Sequence, residues 1–238
     1  MSKTFKLDGV EIPFTEGQTI MDAALAAGAY IPHLCHNPDY EPHGSCRVCV
    51  VGVGKRQVAS CTTPATDGME VDSSSETIQS TRRTILQMLF VEGNHVCPAC
   101  EASGNCQLQA VAYYTGMLSP HFTHFFPRRP VDASHPDTVI DYNRCILCEL
   151  CVRASRDKDG KAVFAVAGRG IESHLVIDSP TGLLGDSSFS AADHAAHVCP
   201  TGAILPKHQG YDRPIGERLY DQEPISLVGD LHAHEEVS

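Results

Sequence analysis

Twelve residues of this chain have the chemistry and spacing to hold metal, and they fall into three groups of four. The first is Cys35-x10-Cys46-x2-Cys49-x11-Cys61, the second His95-x1-Cys97-x2-Cys100-x5-Cys106, and the third Cys145-x2-Cys148-x2-Cys151 with a distant Cys199-Pro200. Thiolate and imidazole are ligands for zinc or for iron–sulfur clusters, both of which take four donors per site. The eleven cysteines are odd in number, and the amino terminus "MSKTFKLDGV" lacks the apolar run of a secretory signal. A reducing, cytoplasmic setting is therefore expected, where structural disulfides are rare.

The first group has one close pair flanked by two distant cysteines. That pattern fits a [2Fe–2S] cluster, although the gap before the close pair exceeds the plant-type four. Zinc sites more often supply two close pairs. Gly44 and Ser45 precede Cys46 and let the backbone turn its N–H groups toward sulfur, which favours the reduced cluster. His33, His36 and His43 surround Cys35, but four cysteines already complete the set, so these histidines are read as loop residues. The third group, "NRCILCELC…HVCP", is the most specific. Three cysteines at x2 spacing with a remote Cys-Pro wrap one [4Fe–4S] cubane, and Ser155 stands where a two-cluster ferredoxin would add another cysteine.

The middle group carries one nitrogen among three sulfurs, a collar for a second [4Fe–4S] cluster. Neutral imidazole in place of thiolate removes a negative charge from the ligand shell and raises the reduction potential, the logic of His-ligated Rieske centres. The alternative for His95 is a bystander to a three-cysteine cluster or to zinc.

The elements around these groups are short. "TFKLDGVEIPF" (4–14) alternates about Asp8-Gly9 as a hairpin. "TIMDAALAAG" (19–28) has helical spacing with Gly28 as its stop, and 47–61 reads as two strands. Hairpin, helix and further strands around a cysteine loop describe a β-grasp unit. A helix is expected over 76–91 with an apolar stripe of Ile78, Ile85, Met88 and Leu89, and another over "CQLQAVAYYTG". Residues 119–137 are proline-rich and read as a linker, whose Phe122, Phe125 and Phe126 either dock on a partner or pack on this chain. Strands are expected near 162–166 and 172–177, and 206–238 reads as a polar arm whose "HAHEEVS" histidines are solvated. The fold class is therefore α+β. Its units are an N-terminal β-grasp [2Fe–2S] ferredoxin-like domain (1–78), a one-histidine, three-cysteine module (79–118), the linker, a ferredoxin-like [4Fe–4S] module (138–205) and the arm.

The chain has 238 residues, a net charge of −11 and no Trp. No basic face marks a nucleic-acid binder, and no apolar run approaches a membrane span. "VGVGKR" and "AGRG" lack the third glycine of a dinucleotide fingerprint, and no P-loop is present.

In this order the three groups resemble the amino-terminal part of the large iron–sulfur subunit of respiratory complex I. Similar modules open some NAD-dependent formate dehydrogenases and the iron-only hydrogenases. The resemblance covers about residues 1–205 and implies [2Fe–2S] at Cys35, Cys46, Cys49 and Cys61. It implies [4Fe–4S] at His95, Cys97, Cys100 and Cys106, and a further cluster at Cys145, Cys148, Cys151 and Cys199. Only Val96 separates His95 from Cys97, where complex I and the iron-only hydrogenases have three residues, and the chain lacks their long catalytic or molybdopterin-type regions. Its length and "EGNHVCPAC" are similar to the small diaphorase (gamma) subunits of NAD-reducing, bidirectional nickel–iron hydrogenases. That likeness implies an electron-relay subunit without an acid, base or nucleophile of its own. Its implied partners are an FMN/NAD-binding diaphorase subunit and the nickel–iron hydrogenase small and large subunits, with H2 + NAD+ giving NADH + H+. The iron–sulfur subunit of another NAD-linked complex and a zinc-binding interaction module are the competing expectations.

Overall fold

Strands β1 (Lys3–Leu7) and β2 (Val10–Phe14) form an antiparallel hairpin. Asp8 and Gly9 at its tip both have positive φ, 51° and 85°, as a two-residue turn of matching twist requires. The structure, a computed structural model, describes residues 3–210 and 213–230. Helix α1 (Ile20–Ala26) starts at Thr19, whose hydroxyl accepts the Asp22 N–H while the Asp22 carboxylate accepts the Thr19 N–H, both at 3.1 Å. This reciprocal box satisfies two otherwise orphaned donors. Strands β3 (Val50–Val53), β4 (Arg56–Ala59) and β5 (Glu70–Asp72) complete a five-stranded sheet ordered β2-β1-β5-β3-β4, in which only β1 and β5 run parallel. Phe5, Leu7, Ile12 and Phe14 alternate inward against Ile20, Met21 and Ile31 to make the first core.

Helix α2 (Glu76–Glu92) begins at Ser75, whose Oγ accepts the Ile78 N–H. Its buried row is Ile78, Arg82, Leu86 and Val91, whereas Met88 is 44% exposed. The apolar stripe expected from the sequence is thus rotated. The i, i+4, i+8 row faces the sheet, and an arginine occupies it because β-strand ends offer acceptors there. Arg82 donates to Ser73 O, Val50 O and Ser73 Oγ, each at 2.8 Å. Helix α3 (Gln107–Tyr114) buries most of its surface, from Gln107 through Ala112.

Within the segment read as a linker, β6 (Val131–Asp132) pairs with β7 (Thr138–Asp141). Asp132 is buried, its carboxylate accepting the Leu184 N–H at 2.7 Å and the Ser134 N–H at 2.9 Å. Phe122, Phe125 and Phe126 remain 45%, 54% and 73% exposed. Helix α4 (Leu150–Asp157), the hairpin β8 (Phe164–Ala167) and β9 (His174–Ile177), and the short α5 (His194–His197) lead to Cys199. Strand β10 (Ile204–Pro206) closes a three-stranded sheet, β10-β7-β6. The second core gathers Leu86, Leu108, Val111, Ile140, Leu150, Ala154 and Leu184, and it also takes in Leu34, Cys35, Tyr40, Cys46 and Val48 from the first unit. The cysteine loop of the β-grasp unit is therefore packed into its neighbours.

Residues 213–230 of the arm lie against these units. Arg218 Nη1 donates to Ser103 O at 3.1 Å, the Tyr220 N–H to Gly104 O at 2.9 Å and the Leu219 N–H to Asn105 Oδ1 at 2.9 Å. A short helix α6 (Ile225–Val228) buries Ile225 in the second core. The terminal histidines, His232 and His234, lie outside the described residues. Among the described residues, no helix is long and apolar enough to cross a membrane.

Candidate metal centres

All four members of the first group are buried, and the fold brings them together. Cys49 Sγ and Cys61 Sγ lie 3.4 Å apart across the β3–β4 hairpin, and the Cys46 N–H points at Cys35 Sγ, 3.4 Å away. Gly44, with φ of 70°, and Arg47, with φ of 61°, give the loop the left-handed turns that aim this N–H inward. The bond with Cys46 pulls the Cys35 thiol down and the bond with Cys61 pulls Cys49 down, while the same bonds push Cys46 and Cys61 up.

His33 and His36 are core residues as well as loop residues, 2% and 3% exposed. His33 Nε2 pairs with Asp230 Oδ2 at 2.9 Å. Burial lowers the His33 imidazole, but the Asp230 pairing outweighs it and the net direction is upward. Burial pushes His36 down to about 4. His43 is half-exposed and meets Glu149 at 3.1 Å.

The second group lines a cavity of about 340 Å³ between α2, α3 and the Asp141–Arg144 turn. His95, Cys97, Cys100 and Cys106 all face it. The His95 ring packs on Phe90 with centroids 5.3 Å apart, and its Nε2 is buried without a hydrogen-bond partner among the described residues. Leaving such a nitrogen unpaired is costly, so an electron acceptor at this position fits it. Burial pushes His95 down to about 4, keeping it neutral as a ligand must be, and pushes Cys106 up to about 12. Gly93 makes room for the ring. A Cβ there would sit 2.5 Å from His95 Nε2 and 2.8 Å from Asn143 O.

The third group surrounds a smaller hollow walled by Ile146, Leu147, Val166, Leu175 and Ile204. Leu147 and Glu149 have φ of 53° and 60°, left-handed residues that bend the x2 spacers around it. Cys199 Sγ accepts the Ala203 N–H at 3.2 Å. Burial raises Cys145 to about 11 and drives Cys148 and Cys151 well above the ordinary thiol range. Loading such thiols with metal displaces their protons.

Among the described residues no three His, Cys, Asp or Glu side chains converge on a single-ion position. The second group instead rings a cavity, which suits an inorganic cage better than one zinc ion with bonds near 2.3 Å. The third group also adjoins both others. The Gln107 N–H donates to Pro200 O at 2.9 Å, linking the residues that follow Cys106 and Cys199. Arg153 Nη2 donates to both Cys35 O, at 2.5 Å, and Cys148 O, at 3.5 Å.

Sequence reasoning missed four arginines near these groups. Arg82 and Arg153 are buried, Arg129 donates to Cys145 O at 3.2 Å, and Arg144 pairs with Glu101 at 2.6 Å and Asp141 at 3.0 Å. Arg82 and Arg129 each stand in an Arg-Arg pair, and none of the four carried a spacing signal.

Three family descriptions match the chain in succession: a 2Fe-2S iron-sulfur cluster binding domain over residues 2–76, the NADH-ubiquinone oxidoreductase-G iron-sulfur binding region over 82–121, and a 4Fe-4S single cluster domain over 138–205. The protein accordingly carries one [2Fe–2S] and two [4Fe–4S] clusters. Subunit alpha of the NADPH-Fe(3+) oxidoreductase of Geobacter sulfurreducens is 34% identical over 84% of the chain, which spans only 24% of that relative. A chain in the crystal structure of an NAD+-reducing [NiFe]-hydrogenase in the H2-reduced state is 54% identical, with a TM-score of 0.92, and the match covers 95% of this chain and 97% of that one. The gamma subunit of the NAD-reducing hydrogenase HoxS of Cupriavidus necator is 39% identical over 94% of this chain and 96% of its own length. With the same three units in the same order and matching length, the chain belongs to the gamma-subunit family of NAD-reducing hydrogenases, which relay electrons through iron–sulfur clusters.

Proposed function

We propose that this chain joins a nickel–iron hydrogenase module to an FMN/NAD-binding diaphorase subunit, in a complex that couples H2 oxidation to NAD+ reduction. The observation that carries this reading is the match to a hydrogenase gamma subunit along nearly the full length of both chains. The clusters supply one-electron chemistry. The chain itself holds and insulates them and contributes no acid, base or nucleophile to bond making.

Cys35, Cys46, Cys49 and Cys61 hold the [2Fe–2S] cluster in this reading. His95, Cys97, Cys100 and Cys106 hold one [4Fe–4S] cluster, and Cys145, Cys148, Cys151 and Cys199 the other. The unpartnered His95 Nε2 and the about 340 Å³ cavity beside it support the second set. The buried Cys49–Cys61 sulfur pair and the Cys46 N–H on Cys35 Sγ support the first, and the convergence of Cys145, Cys148, Cys151 and Cys199 on one hollow supports the third. The surrounding residues exclude water and present N–H groups to sulfur, which stabilises the reduced state. The boundaries 1–78, 79–118, 119–137, 138–205 and 206–238 describe the units, with the proviso that 131–132 contribute a strand to the third. A cytoplasmic location agrees with eleven cysteines free of disulfides.

Purification of the chain with its natural partners tests the assembly. Nickel, FMN and H2-dependent NAD+ reduction are expected in the same complex. A quinone-reducing or molybdenum partner without nickel would instead assign the chain to another NAD-linked complex, a reading with which the 82–121 match is also consistent.

A further inference from the structure

Arg153 occupies the place where the first and third cysteine groups meet. It lies on α4 two residues beyond Cys151 and is 4% exposed. All of its hydrogen-bond acceptors are main-chain carbonyls: Cys35 O at 2.5 Å and Cys148 O at 3.5 Å from Nη2, Glu41 O at 3.0 Å from Nη1, and Glu149 O at 3.3 Å from Nε. Its guanidinium carbon also lies 5.8 Å from the centre of the Tyr40 ring. Arg144 is neutralised by Glu101 and Asp141, and the hydrogen bonds of Arg82 stay within the β-grasp unit and α2. Arg129 also donates to main-chain carbonyls, at Tyr142 and Cys145, but at the third group alone.

Among the described residues no carboxylate is hydrogen-bonded to this cation, and the nearby Asp157 carboxylate is taken by Arg156. A buried cation without a paired anion is expensive to desolvate. Carbonyl acceptors by themselves do not explain that cost, since a neutral side chain of similar shape fills the space more cheaply. An anionic group on either side does explain it. The first and third sets each present four thiolates when loaded, and the Cys35 and Cys148 main chains bring both sets to the same guanidinium. Adding an electron to either set increases negative charge beside that cation, in a medium that screens charge weakly. The reduced forms are therefore favoured.

We propose that Arg153 is a positioning residue that fixes the first and third cluster loops against each other and raises the reduction potential of both clusters through its buried charge. The inference rests on the ligand assignment above.

The test uses the intact complex with Arg153→Gln, Arg153→Met and Arg153→Lys, titrated electrochemically and followed by EPR, with iron and sulfide counted in each. All three substitutions remove the planar fork, and only lysine keeps the charge. At a fixed poise, the neutral variants are expected to lower the reduced-to-oxidised ratio of the first and third clusters about tenfold, or about 59 mV for one electron. Lysine should stay within about threefold of the parent, and the second cluster should not move. If the neutral variants lose the first and third clusters while lysine retains them, the requirement for charge is supported. Equal behaviour of lysine and the neutral forms, whether shifted, unshifted or unassembled, overturns the proposal, as does an equal shift of all three clusters. A parent complex lacking sulfide would instead refute the ligand assignment, so the two failures are distinguishable.

Discussion

Replacing Gly93 by alanine isolates the role of the imidazole in the second set. Gly93 ends α2 with φ of −102° and ψ of −175°, a conformation alanine adopts freely, so backbone strain plays no part. The added methyl is the whole perturbation. It would lie 2.5 Å from His95 Nε2, 2.7 Å from His95 Cδ2 and 2.8 Å from Asn143 O, all below any tolerable carbon contact. The carbonyl cannot withdraw easily, because it accepts the Asn94 N–H at 2.9 Å and Asn94 Nδ2 holds Asn143 Oδ1 at 2.7 Å. The ring must move instead, away from its place beside Gly93 at the cavity wall. Overpacking of this kind costs about 1–3 kcal/mol, and at 1.4 kcal/mol per decade that is about fivefold to a hundredfold in retention of the native ring position. Gly210→Ala is the control, since no atom lies within 4 Å of its added Cβ. In the Gly93→Ala complex, the EPR signal of the second cluster should change or disappear, with up to about four irons lost, while the other two clusters persist. A variant with the parent's second-cluster potential and full iron content would refute the role given to His95.

His95→Cys should keep a four-iron cluster but lower its potential, because a thiolate restores negative charge to the ligand shell; an unchanged or higher value in an EPR-monitored titration would count against ligation by His95. Arg82→Met removes the donors to Ser73 and Val50 and should cost at least about 2 kcal/mol in chemical denaturation, with a stability equal to the parent's contradicting the clamp. Asp132 carries a pH prediction. Burial raises its carboxyl, but the bonds from Ser134 and Leu184 outweigh this and hold it below the usual value. A depressed folded pKa gives stability that is present above the unfolded value of about 3.9 and lost as pH falls through the folded one. Asp132→Asn should therefore be about 1–3 kcal/mol less stable at pH 7 and should show a flatter acid limb below about pH 4. An acid limb as steep as the parent's would show that other carboxylates set it.

The parts of the fold legible in the sequence were those governed by local rules. Asp8-Gly9 specified a hairpin, Gly28 marked a helix stop, and the cysteine spacings grouped the donors without knowledge of the fold. What escaped depends on distant partners. The β5 strand is three residues long and exists because β1 offers a parallel edge. Val131–Asp132 looked like linker because prolines precede it, yet β7 recruits it as an edge strand. The buried face of α2 was misjudged at Met88 because Arg82, a residue that patterning assigns to solvent, finds carbonyls in another element. Arg153 escaped for the same reason, since its acceptors at Cys35 and Glu41 lie more than a hundred positions away. The arm read as a bare tail because its anchors, Arg218 on Ser103 and Asp230 on His33, are paired only through the fold.

Iron, zinc and acid-labile sulfide measured together on the anaerobically purified complex test the central claim most directly. About ten irons and as many sulfides belonging to this chain are expected, beyond those of its partners, as one [2Fe–2S] and two [4Fe–4S] clusters require. A folded chain that binds about three zinc ions and no sulfide would contradict it.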